Sequence, residues 1–106
     1  YEDGTHRLGH SQASPDEKWI VTDSQDPDEN ILMLASTERD EQRLLCWPNC
    51  SIGSGRPDQR RADLPPHTDR HTHPGFSFTG RLVHYTSDIT GNSHVYVVPV
   101  EDIVEA

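Results

Sequence analysis

The sequence predicts an all-β protein built from repeated antiparallel sheets. Three observations carry that class. Apolar residues fall in a few short runs rather than at helical spacing. Those runs are bounded by turn formers such as Ser-Pro-Asp and Thr-Ser-Asp-x-x-Gly. And the chain lies on itself at a shift of 63 residues, Ser77 over Ser14, so that Phe76 to Asp88 (FSFTGRLVHYTSD) falls on Ala13 to Gln25 (ASPDEKWIVTDSQ). An internal repeat decides architecture more strongly than any single motif.

The elements follow in order. Residues 1–9 are polar and turn-rich, either a strand of a preceding repeat or a loop. His10 to Ser14 reads as a short inner strand, and Ser14-Pro15-Asp16-Glu17 as a turn whose proline supplies a preset φ. Lys18 to Ser24 alternates and is β-branched, with Trp19 and Val21 on one side and Ile20 and Thr22 on the other. Asp23 to Asn30 is a loop, and Ile31 to Ala35 an almost continuously apolar strand. Gln42 to Trp47 follows as an outer strand after the charged turn Glu38 to Glu41. Helix competes over Ile31 to Leu45, where Leu, Met, Ala and Glu favour it. Strand is preferred because the repeat sets Ile31 to Leu34 on His94 to Val97, beside the β-rich run Val95 to Val100. Residues 48–70 form a long irregular segment, of a length usually functional or disordered. Arg81 to Tyr85 and Val95 to Val100 are the strands of the second repeat, and Glu101 to Ala106 an exit segment.

With 106 residues, 12.0 kDa and 31% hydrophobic residues, the chain is marginal as a self-sufficient core. Two repeats also leave sheet edges that folded β proteins avoid. The expectation is therefore about two four-stranded blades of a β-propeller, as part of a larger one. The blades would span about residues 9–50 and 71–100, with the long loop inserted between them. A net charge of -9 and a pI near 5.0 argue against a nucleic-acid partner. No apolar run spans a bilayer, so no membrane partner is expected. No signal peptide is visible, although Tyr1 is not a natural start and leaves room for a removed leader.

Chemistry-bearing residues concentrate near the second repeat. Of the seven histidines, His71 and His73 flank Thr72, and in an extended chain would share a face. The repeat places His10 over His73, so His10, His71 and His73 are candidate metal ligands. A surface turn with satisfied imidazoles is the alternative. His84 is read as a strand residue that packs or hydrogen-bonds, His6 and His94 as exposed. Cys46 and Cys50, in CWPNC, admit three readings: a small disulfide loop, ligands of a mixed Cys/His zinc site, or plain thiols. Arg56, Arg60, Arg61 and Arg70 form a candidate anion site, or pair with the interleaved Asp58, Asp63 and Asp69. Arg70, beside His71, is the best functional candidate. No phosphate loop, nucleophile elbow, zinc-protease or kinase motif is present.

Gly9 to Val21 (GHSQASPDEKWIV) is similar to the blade signature of TolB-like propellers. The pattern from His71 to Tyr96, His-x-His-Pro-x-Phe-Ser-x-x-Gly followed by Thr-Ser-Asp-x-x-Gly and Val-Tyr, resembles the last blades of oligogalacturonate lyases and related seven-bladed propeller lyases, ulvan lyases included. The resemblance covers most of the chain outside residues 48–70. It implies a metal ion held by His10, His71 and His73. Thr68 stands where the oligogalacturonate lyases carry a glutamine ligand, a departure from their manganese-type set. Cys46 and Cys50 point to the ulvan-lyase side, where zinc is structural, so zinc is expected and manganese is the alternative. The implied reaction is β-elimination on a uronic-acid-containing polysaccharide or oligosaccharide. Arg70 would neutralise the carboxylate and His67 or His10 would serve as base. The usual tyrosine and the remaining groups would lie in other blades, the expected partners of these repeats. A secreted or periplasmic location is implied, with cytoplasmic as the alternative. The competing function is a non-catalytic propeller module for binding or scaffolding, with a structural Cys/His zinc site or a disulfide.

Overall fold

The structure is a computed structural model that describes residues 8–24, 30–50, 72–90 and 92–105. It is mostly β, as the short apolar runs require, and forms two antiparallel sheets. The first is a four-stranded meander of β1 (Leu8–Ala13), β2 (Trp19–Ser24), β3 (Leu32–Ser36) and β4 (Gln42–Cys46). The second has three strands, β5 (Gly75–Phe76), β6 (Leu82–Ser87) and β7 (His94–Pro99). The helical reading of Ile31 to Leu45 loses to strands because Ile31 to Ala35 is buried on both sides of the pleat, which no single helical stripe supplies. One feature departs from two equal four-stranded units: among the described residues the second sheet has three strands. The exit segment also gains structure. A single helical turn, α1 (Glu101–Val104), packs Ile103 and Val104 against the core.

The repeat read from sequence recurs bond for bond. Ser14 donates its backbone N–H to the Trp19 carbonyl at 2.8 Å, and Ser77 donates to Leu82 at 2.8 Å. Each serine hydroxyl also accepts the N–H of that fifth residue, at 3.1 Å in both turns. Glu17 and Gly80 occupy the same turn position, and both are left-handed, with φ of 63° and 75°. In the first turn Asp16 accepts from the Ser14 hydroxyl and the Lys18 N–H, which hold its carboxyl below the ordinary value. Strand register is carried over as well: Trp19 faces Ser36 as Leu82 faces Pro99, and Val21 faces Leu34 as His84 faces Val97.

The two sheets pack through one core of Trp19, Val21, Leu32 and Leu34 from the first and Phe76, Val83 and Val100 from the second. Side chains alternate across a sheet, so the packing has a direction. The first sheet contributes the side of Val21 and Leu34. The second contributes the side of Val83 and Val98, whose counterparts one repeat earlier are Ile20 and Ala35, on the other side of the first sheet. Back meets front. The front of the second sheet is open: Leu32 and Leu34 are 0% exposed, while their counterparts Val95 and Val97 are 70% and 56% exposed.

Candidate functional site

The site lies at the end of β1 and β2 away from the Ser14–Lys18 turn. Strand β1 carries one extra residue between Leu8 and Ser11 relative to β2, a bulge at Gly9 and His10. A bulge releases a backbone group from the ladder and re-aims a side chain. Here the released group is the His10 N–H, which donates to Asp23 Oδ1 at 2.8 Å. His10 Nδ1 lies 3.2 Å from the other carboxylate oxygen, Oδ2. Asp23 itself is fully buried.

The second repeat reaches the same carboxylate. The Thr72 hydroxyl donates to Asp23 Oδ2, and the Thr72 carbonyl accepts the Thr86 N–H at 2.8 Å. Thr72, wholly buried, is thus pinned from both sheets. The next residue, His73, is left-handed, with φ of 42°, and brings its imidazole to a centroid distance of 4.1 Å from that of His10, tilted by 45°. Two imidazoles from equivalent places in successive repeats therefore meet, the first of them held by a buried carboxylate.

The extended geometry expected through His71–His73 does not hold at His73. Strand β5 begins at Gly75, and the left-handed turn at His73 re-aims its ring. His71, His67, Arg70, Arg56, Arg60, Arg61, Thr68 and His6 lie outside the described residues. His84 is exposed and lies over Gly75, its cross-strand partner. His94 is exposed, its ring edge-on to Tyr96 at 6.5 Å.

Cys46 and Cys50 are not bridged to each other, so the disulfide reading does not hold. The chain between them is tied elsewhere. The Pro48 carbonyl accepts the Ser87 hydroxyl at 2.6 Å, Asn49 is left-handed with φ of 52°, and the Cys50 N–H donates to Asn30 Oδ1 at 2.9 Å. Cys46 packs beside the core, as does Tyr85. Burial pushes the Cys46 thiol up. Tyr85, stacked on Tyr96 at 5.5 Å, is pushed up to about 12, by burial first and then by Cys46.

His10 carries one feature of a metal-bound histidine. Metal-bound histidines commonly turn their second ring nitrogen to a carboxylate, and His10 turns Nδ1 to Asp23. Among the described residues no three His, Cys, Asp or Glu side chains are gathered as a complete ligand set. Asp23 and Thr72 were missed by sequence reasoning, and Asp23 carried a usable signal. It continues the buried alternation Trp19, Val21, Asp23, so an acid stands where a core residue is expected.

No protein-family model matches the chain, and no curated protein or solved structure matches it either. No helix among the described residues is long and apolar enough to cross a membrane.

Proposed function

We propose that the chain is a segment of a β-propeller polysaccharide lyase that acts on a uronic-acid-containing glycan and holds a divalent cation between successive repeats. The observation that carries this reading is the His10–His73 pair, two imidazoles at matched repeat positions 4.1 Å apart. The propeller is supported by the direction of packing. The Val21–Leu34 side of one sheet meets the Val83–Val98 side of the next, a back-to-front contact that a further blade could repeat on the open front of the second sheet. In this reading His10, His71 and His73 hold the cation, zinc with manganese as the alternative. Bound there, it would supply charge neutralisation next to the substrate carboxylate.

The proposed reaction removes the proton α to the carboxylate and expels the 4-O-linked sugar. The bond to the leaving oxygen breaks as the C4–C5 double bond forms. Arg70 would pair with the carboxylate, which gathers negative charge as the proton leaves, His67 would take that proton, and an acid from another blade would protonate the leaving oxygen. His10 is engaged by Asp23 and is assigned to the cation rather than to proton transfer.

The test is metal content by elemental analysis of protein purified without added metal, followed by incubation with uronate polymers and detection of the unsaturated product by its ultraviolet absorbance. Stoichiometric zinc or manganese that disappears in His10→Ala and in His73→Ala supports the site, and unsaturated product supports the lyase. Metal without product would leave a scaffold propeller. Absence of both would refute the proposal.

A further inference from the structure

We infer that Asp23 is the positioning residue of the histidine pair: it fixes the His10 proton on Nδ1, aims Nε2 away from the carboxylate, and through Thr72 sets the turn that brings up His73. The inference rests on the site proposed above but concerns atoms that are measurable without any metal.

Four observations carry it. Asp23 engages His10 twice, at the backbone N–H (2.8 Å) and at Nδ1 (3.2 Å), which fixes both the place and the rotation of the ring. A carboxylate only accepts, so the proton in the Nδ1 contact belongs to the imidazole, and the lone pair is left on Nε2. Oδ2 also accepts from Thr72, the residue before His73, so one carboxylate ties together the two repeats that supply the rings. Finally, the position equivalent to Asp23 in the second repeat is Thr86, in a strand of the same register. The fold itself therefore does not require a carboxylate at this place. A fully buried acid is costly unless each oxygen is matched by donors, so its presence in one repeat only marks a local task.

The test is NMR on metal-free, chelator-treated chain carrying 15N-histidine, at about two pH units above the ordinary histidine value of roughly 6.5. The expected wild-type result is a pyrrole-like Nδ1 and a pyridine-like Nε2 for His10. Asp23→Asn keeps the size but turns an NH2 group toward the ring, so the proton is expected to move to Nε2. Zinc affinity, read by titration, should then fall by about 10–100-fold. A wild-type His10 with its proton on Nε2, or an even mixture of tautomers, would overturn the inference, and this reading needs no variant to fold. An unchanged tautomer and affinity in folded Asp23→Asn would overturn it too. The two proposals separate cleanly: a wild-type Nδ1–H tautomer with no zinc uptake sinks the metal site and leaves the assignment of Asp23 standing.

Discussion

Gly75→Ala tests the junction of the two inner strands, where β1 meets β5. The backbone of Gly75 is not left-handed, so alanine is conformationally acceptable there, and only space decides. A Cβ at this position would overlap Gln12 Oε1 and lie 2.8 and 2.9 Å from two ring atoms of His84. The exposed His84 ring can swing out. Gln12 is different, because its Oε1 accepts the Phe76 N–H at 2.9 Å and retreat breaks that bond. Overpacking costs about 1–3 kcal/mol and the lost hydrogen bond about 1 kcal/mol. Against this, the stiffer unfolded chain returns about 0.4–1 kcal/mol. Gly75→Ala is therefore expected to destabilise by roughly 1–3 kcal/mol. Gln12→Ala alone should cost about 1 kcal/mol through the orphaned N–H. The double variant should cost little more than Gln12→Ala, since the obstacle is already gone, which gives a coupling of about 1–2 kcal/mol. Urea unfolding of the wild type and the three variants, followed by tryptophan fluorescence, measures all four corners of the cycle. A neutral Gly75→Ala, or additivity within about 0.5 kcal/mol, would refute the reasoning.

Glu17→Gly should stabilise the chain by about 0.5–1 kcal/mol, because Glu17 occupies the left-handed position that glycine holds in the second turn; thermal melts check this. Leu34→Ala should cost about 2–5 kcal/mol, while Val97→Ala at the equivalent place should stay within about 0.5 kcal/mol, compared by denaturant midpoint. Two thiols should titrate with a thiol reagent after unfolding without reductant, since Cys46 and Cys50 are unbridged; no thiol would refute the structure there. Tyr85, with its folded value raised to about 12 above an unfolded 10.0, contributes stability that is complete below pH 10 and is lost as the pH rises toward 12. The unfolding free energy of Tyr85→Phe should fall less than that of the wild type across this window.

Much of the architecture was legible because repetition is a sequence property. The match of Ser14 to Ser77 announces the same turn twice, since a serine hydroxyl capping a tight turn is a local device. The strand over Ile31 to Ala35 was also within reach, through its counterpart in the β-rich second repeat. The pairing of His10 with His73 came from the same register. The left-handed turn at His73 was not legible, because a non-glycine residue takes that conformation only when surrounding contacts impose it.

The sequence by itself determined the strands, their turns and the 63-residue repeat, because alternation, turn chemistry and register are written in neighbouring residues. Tertiary structure alone decided that back packs on front, that Cys46 and Cys50 stay unbridged, and that Asp23 gathers His10 and Thr72. Those contacts join residues tens of positions apart, and the energy that selects them is the burial and hydrogen bonding available only once the two sheets have met.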